Sequence, residues 1–378
     1  MFSFSWVCGS LLAEDIMGNF GVEGLTTSTY ATNAITIAKI IGNLLAAWVL
    51  IQLKPRKAFA SLLIIAGGLG AFAGNYPLYV FTRLAVGFGG AFIAVYFNPI
   101  VLHYFTAPER PAVNAINGVA FNTGTLLALL SVPGLMAWLG AWQHVILFAS
   151  AASAVCLVFW WVLSDDFPLH TVGSGAAGSE SKIYTLRDGI REPFNWIYPL
   201  SYSGLLFIYI SVFSLFPLIP SFAVPGERLS MLMFGAGMVG ALAGIPLAKK
   251  VGLRVPLIRY CGLLMTLFAA VMILSASPLV ASAAAFLHGF FMFLSFAALY
   301  SIPHELPGMT PSRVTVIFAM FWSISYGVET VLMFLAGMLA DSTGDPFLAA
   351  VFAVICSSSF FLATFFFPET GKRPGKQL

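Results

Sequence analysis

The chain has 378 residues, of which 59% are hydrophobic and 9% charged, with a mean hydropathy of +0.92 and a net charge of +3. Soluble globular proteins carry roughly 25% charged residues, and 18 basic and 15 acidic side chains are too few to solvate a folded chain of this length. The apolar surface must face lipid, and continuous apolar runs exclude a transmembrane β-barrel, whose strands alternate with period two.

Each crossing needs about 20 apolar residues. In chain order, helical spans are predicted at 1–17, 27–53, 57–75, 77–104, 110–138, 142–164, 195–221, 228–249, 253–276, 278–303, 312–340 and 346–367. The first lacks a basic leader region and a small-residue cleavage site, so no cleavable signal is expected. It already meets Glu14 and Asp15, so either the chain start lies inside this helix or the helix is short. Cys8, Cys156, Cys261 and Cys356 are scattered through apolar runs, which fits small buried hydrophobes rather than a disulfide framework or a metal site.

The basic residues orient the spans. Alternate connections and the C-terminal tail hold fifteen of the eighteen Lys and Arg, among them Lys54, Arg56, Lys57, Arg110, Lys182, Arg187, Arg191, Lys249, Lys250, Arg254, Arg259 and Arg313. The opposite connections hold Arg228, and Lys39 and Arg83 fall inside spans. The rich set is cytoplasmic by the positive-inside rule. One missed or extra span would scramble this alternation, so both termini are predicted in the cytoplasm. Residues 165–194 are polar and rich in Gly and Ser at their centre, and read as a cytoplasmic linker with a short amphipathic piece. They divide an N-terminal six-helix bundle, 1–164, from a C-terminal one, 195–378, that ends in a short tail. The basic turns LKPRK and AKKVGLR, about 200 residues apart, echo each other as parallel repeats would.

The fourth span reads LYVFTRLAVGFGGAF, with Arg83, Gly87, Gly89 and Ala91, and leads into YFTAPERPAVNAIN. With the two sets of six spans and the basic 2–3 and 8–9 connections, this resembles the major facilitator superfamily over essentially the whole chain. The resemblance implies twelve transmembrane helices in two pseudo-symmetric bundles, transport of a solute by alternating access, and a role for Arg83 in proton transfer or in packing the first helix. The 2–3 connection is reduced to LKPRKAF, and the proline-containing antiporter motif of the fifth helix is absent. A narrower likeness is also present. NAINGVAFNTG, with Asn117-Gly118 and Asn122-x-Gly124, is similar to the signature helix of nitrate/nitrite porters, which also place a cation in the second helix, as Lys39 is here. HELPGMTPSRV resembles cyanate and nitroimidazole porters.

An ionisable residue at the bilayer centre costs roughly 2.5–3.5 kcal/mol on insertion scales, so such residues face a cavity or a partner. Lys39 lies about 20 Å of helix from its cytoplasmic end, too far to snorkel, and is either a structural ion-pair partner or a cation for substrate or gating. Glu329 is also near mid-depth and either pairs with Lys39 across the two halves or faces a watery cavity. Arg83 bonds backbone carbonyls of the first helix or pairs with Glu14 and Asp15, which otherwise sit in an exposed loop. Asn122 is a cavity candidate, with Asn117 five residues before it. Gly118 and Gly124 serve close helix packing. Tyr198, Tyr202 and Tyr209 recur at helical spacing and could line a site, although Tyr198 also suits the membrane interface. His288 is a packing residue or a proton carrier.

No nucleotide-binding loop, metal cluster or nucleophile constellation occurs, so neither cofactor nor enzyme activity is expected. The chain is read as a membrane-embedded secondary transporter, working as a monomer on a small solute, with protons as a possible coupling ion and no nucleic acid. The candidate solutes are a small anion or another small organic solute taken up or expelled. The other class is a non-transporting sensor, which would want a larger soluble appendage, or a membrane-embedded enzyme, which would want clustered His, Asp and Glu.

Overall fold

The computed structural model describes residues 1–53, 59–105, 110–164, 184–308 and 311–371, and these residues are almost entirely helical. Helix α1 (Phe2–Leu11) passes through a single irregular residue, Leu12, into α2 (Ala13–Phe20), so the first predicted span runs further than 17. Glu14 and Asp15 do not end it: they are exposed in the first turn of α2, where carboxylates favour a helix N-terminus. The helix stops at Gly21, whose φ of +63° is a left-handed conformation suited to a residue without Cβ.

Helix α3 (Leu25–Leu53) carries Lys39, and α4 (Phe59–Ala66) narrows into a 3-10 segment at Gly67–Phe72. Helix α5 (Tyr76–Tyr104) starts where the Asn75 side chain accepts from the Leu78 N–H at 2.9 Å and Pro77 fixes the first turn. It is followed by α6 (Arg110–Leu139) and α7 (Trp142–Leu163). Most of the predicted linker, 165–183, lies outside the described residues. Its amphipathic piece is α8 (Leu186–Arg191), opened by a capping box between Thr185 and Asp188.

Helix α9 (Phe194–Ser214) is shorter than the span predicted to 221, because Pro217 imposes a 3-10 turn at Phe216–Leu218. Helices α10 (Gly226–Val251) and α11 (Arg254–Leu274) follow. The span predicted at 278–303 is two helices, α12 (Pro278–Leu294) and α13 (Phe296–Glu305), joined at Ser295. Helix α14 (Pro311–Thr343) carries Glu329, and α15 (Phe347–Ser357), α16 (Ser359–Ala363) and a 3-10 turn at Thr364–Phe366 follow.

Among the described residues, nine helices are long and apolar enough to cross a membrane, and Phe2–Leu11 and Ser61–Phe72 are shorter apolar helices. The outer surface shows why lipid is required. Val162 and Leu163 are each 76% exposed and Leu279 is 81% exposed, a distribution that water would not tolerate over a whole surface. With apolar tails outside, helix association rests on close packing rather than on hydrophobic burial. Gly87 of α5 shows this. A Cβ there would stand 2.8 Å from the Ile35 Cα and 2.7 Å from the Ala38 Cβ, so only glycine lets α5 lie against α3. Gly240 and Gly244 of α10 abut the Phe290 and Leu294 carbonyls of α12 in the same manner.

Candidate functional site

Lys39 is buried between α3 and α14. Its Nζ donates to the phenolic oxygen of Tyr326 on α14. Four rings enclose the ammonium, with centroids 4.1 Å away for Tyr326, 5.1 Å for Trp6, 5.3 Å for Phe2 and 5.9 Å for Phe121. A ring face is a weak acceptor for a cation, worth about 2 kcal/mol when the pair is desolvated, so the cage offsets part of the cost of holding a charge here.

Glu329 follows Tyr326 by one helical turn and is wholly buried, and neither carboxylate oxygen has a hydrogen-bond partner. It forms no ion pair with Lys39, whose contact on α14 is Tyr326. The helices are joined beside it by Thr36 and Thr330, whose Oγ atoms are 2.6 Å apart, while Thr330 also donates to the Tyr326 carbonyl at 2.8 Å. Sequence reasoning missed Tyr326, although its i, i+3 spacing to Glu329 places both on one helix face.

Asn122 on α6 is 1% exposed. Its Oδ1 accepts from the Tyr209 hydroxyl on α9 at 2.9 Å, while its Nδ2 has no partner. Two of the predicted site residues therefore meet. Phe121 links this pair to the Lys39 cage, with ring centroids 5.8 Å from Trp6 and 5.7 Å from Tyr209. The indole Nε1 of Trp6 also lacks an acceptor. The region thus holds buried N–H donors without acceptors, an ammonium, and a carboxylate without donors. The side chain of Asn117 and the surroundings of Gly118 lie outside the described residues. Gly124 takes the packing role, since its face meets Ser3 and Phe4 of α1.

Other candidates lie elsewhere. Arg83 donates from Nη1 to the Ser5 carbonyl at 3.1 Å and from Nη2 to the Trp6 carbonyl at 2.6 Å, and it does not bond Glu14 or Asp15. Gly9 makes room for it: a Cβ there would stand 2.5–2.7 Å from the guanidinium. Gly89 and Ala91 of the same motif are buried. Tyr198 is fully buried rather than interfacial, donating to the Leu299 carbonyl at 3.0 Å. Tyr202 packs its ring 4.8 Å from Phe321 and 5.8 Å from Trp322. His288 is also fully buried, with Nδ1 2.9 Å from the Met265 carbonyl on α11 and Nε2 without a partner. Among the described residues, no three His, Cys, Asp or Glu stand close enough to hold a metal ion.

Chemically, an ammonium and N–H donors are groups that attract an anion, and a carboxylate is a group that takes up and gives up a proton. Helices α3 and α14 hold Lys39 and Glu329, α1 and α6 supply three of the rings, and the Asn122–Tyr209 bond ties α6 to α9 beside them.

The family is shown by a sequence profile. The sequence profile described as Major Facilitator Superfamily matches residues 1–330. A search of curated proteins finds no match for the chain. Among solved structures, a bacterial homolog of the human lysosomal transporter Spinster, in an inward-facing and unoccupied conformation, superposes with a TM-score of 0.74 at 15% identity, over 99% of this chain and 97% of that one. A D-xylose-proton symporter superposes with a TM-score of 0.72 at 15% identity, over 100% of this chain and 97% of its own. At that identity the likeness concerns the fold.

Proposed function

The chain belongs to the major facilitator superfamily of membrane transporters, and from that premise we propose that it is a secondary carrier for a small monoanion, bound at Lys39 and released by alternating access. One observation carries this reading. Lys39 is the buried ammonium at the α3–α14 junction, and the neighbouring donors Trp6 Nε1 and Asn122 Nδ2 have no acceptors of their own. Buried donors without acceptors cost about 1–3 kcal/mol each, and an anion entering between them would remove that cost. Glu329, one turn from the Lys39 contact, supplies the proton-coupling group: protonated, it no longer repels the anion. Nitrate, nitrite and cyanate are the inorganic candidates.

A second reading is favoured by the ring lining. Phe2, Trp6, Phe121 and Tyr326 would pack the apolar body of a small organic carboxylate better than they would solvate a compact oxyanion. In either case the two halves, 1–164 and 195–378, rock about this junction as one monomer. The linker at 165–194 and both termini are cytoplasmic, an orientation supported by the basic connections.

The test is pH-dependent uptake into proteoliposomes holding the full chain, with nitrate, nitrite, cyanate, acetate and benzoate as separate substrates. Saturable flux that Lys39→Ala abolishes and His288→Ala retains supports the anion reading. Unchanged affinity and rate in Lys39→Ala sinks it, and saturation by the carboxylates alone selects the second reading.

A further inference from the structure

At the opposite end of the same helix pair, α14 caps α3. The first N–H groups of an α-helix have no partner within the helix. Those of Leu25 and Thr26, which open α3, are taken by Asp341 near the end of α14: Leu25 N–H donates to Oδ1 at 2.7 Å and Thr26 N–H to Oδ2 at 2.9 Å. A carboxylate here also meets the positive end of the α3 dipole. The N-cap of α3 thus comes from a residue 315 positions away in sequence, across the junction of the two proposed halves.

The surroundings fit this contact closely. Gly24, with φ of +94°, presents its Cα to the carboxylate, and a Cβ there would stand 3.0 Å from Oδ2. Gly337, one turn before Asp341, lies against the Thr26 backbone, where a Cβ would meet Cα at 2.6 Å. Tyr30 and Phe334 stack one turn further in, with ring centroids 6.3 Å apart and planes 18° from parallel. Above the contact lies an open pocket of about 480 Å³, lined by Glu14, Glu23, Leu25, Ser28 and Pro217 among others. Ser28, in its lining, is 7% exposed.

We propose that Asp341 is the latch of the non-cytoplasmic gate: its bidentate capping of α3 holds this face shut, and opening the face breaks both bonds. The closed state gains a helix cap that the open state must satisfy with water. Loss of a capping side chain to Ala weakens a helix terminus enough to shift a two-state balance roughly 2- to 30-fold. Because Asp341 lies at the surface end of α14, away from the Lys39 cage, it governs access and not substrate recognition.

The experiment uses the full chain in proteoliposomes, with the four native cysteines replaced by alanine and Ser28→Cys as a reporter for a membrane-impermeant maleimide. Asp341→Ala is expected to label faster by a factor in that range. Asp341→Asn, which keeps one acceptor oxygen, should fall between Asp341→Ala and the parent. Tyr30→Cys with Phe334→Cys, joined by a short bifunctional thiol reagent, should return Asp341→Ala to parental labelling and stop transport. Labelling unchanged in a folded, monodisperse Asp341→Ala chain overturns the latch. So does faster labelling that the 30–334 crosslink fails to reverse, since that would mean general loosening. If Asp341→Ala does not fold, the Asp341→Asn rate decides the matter on the same terms. The labelling outcomes, which alone decide the latch, do not depend on the anion reading, because labelling needs no substrate.

Discussion

The ammonium of Lys39 bonds to the phenol of Tyr326, while Glu329, one turn along the same helix, is left without a partner. The buried cation is thus held by a neutral oxygen and four rings, and the buried carboxylate makes no hydrogen bond or direct ion pair, although the charge of Lys39 and the side chain of Thr36, both on α3, act on it. Such a pair stays separate while something else can satisfy each member, which is a carrier's requirement: a permanent ion pair would compete with substrate and proton alike.

Tyr326→Phe removes the oxygen that accepts from Lys39 among the described residues and keeps the ring. The chain is expected to lose about 1–3 kcal/mol of stability, read as a lower unfolding temperature in detergent. Lys39→Met keeps the volume and removes the charge. It should unfold at the same temperature or higher, as replacement of buried charges by apolar groups often does, while losing uptake. Lower stability in Lys39→Met than in Tyr326→Phe would contradict this account of the cage.

If Lys39 and Glu329 approach each other in another state of the transport cycle, exchanging their charges preserves the attraction. Lys39→Glu and Glu329→Lys are each expected to abolish uptake, and the double variant to recover part of proton-driven uptake or of exchange. Absence of any recovery in a well-inserted double variant would show that the two residues act independently.

Arg83 and Gly9 form a lock between α5 and α1 that a double-mutant cycle can weigh. Gly9→Ala drives a methyl into the guanidinium and forces it off the Ser5 and Trp6 carbonyls. The expected cost is about 1–3 kcal/mol, as for an overpacked core. In an Arg83→Ala background the same methyl meets open space, so the cost should fall by at least half. Equal costs in the two backgrounds would place the Gly9 requirement elsewhere.

His288 joins α12 to α11 through Nδ1 and the Met265 carbonyl. An asparagine amide can reproduce that single bond, so His288→Asn should cost about 1 kcal/mol of stability and leave the pH profile of uptake unmoved. A flattened or shifted profile would identify His288 as a proton carrier instead.

Much of this was legible in the chain. Lys39 and Glu329 were recognisable because a charge inside an apolar run has an energetic cost that only a specific environment repays. Asn122 and Tyr209 were named separately, but nothing in their spacing says that they bond to each other. The breaks at Leu12, Ser295 and Pro217 were harder to see, since an apolar run reads the same whether its helix is continuous or jointed.

Asp341 marks the limit most clearly. In sequence it is an acid at the end of an apolar run, and its role depends on the start of a helix more than 300 residues away. The sequence by itself determined the membrane environment, the approximate spans and the buried charges, because hydropathy and charge cost are properties of single segments. Tertiary structure alone decided the partners: Tyr326 rather than Glu329 for Lys39, helix carbonyls rather than carboxylates for Arg83, and the α3 terminus for Asp341. Those choices follow from which helix faces meet, and a segment read in isolation carries no record of its neighbours.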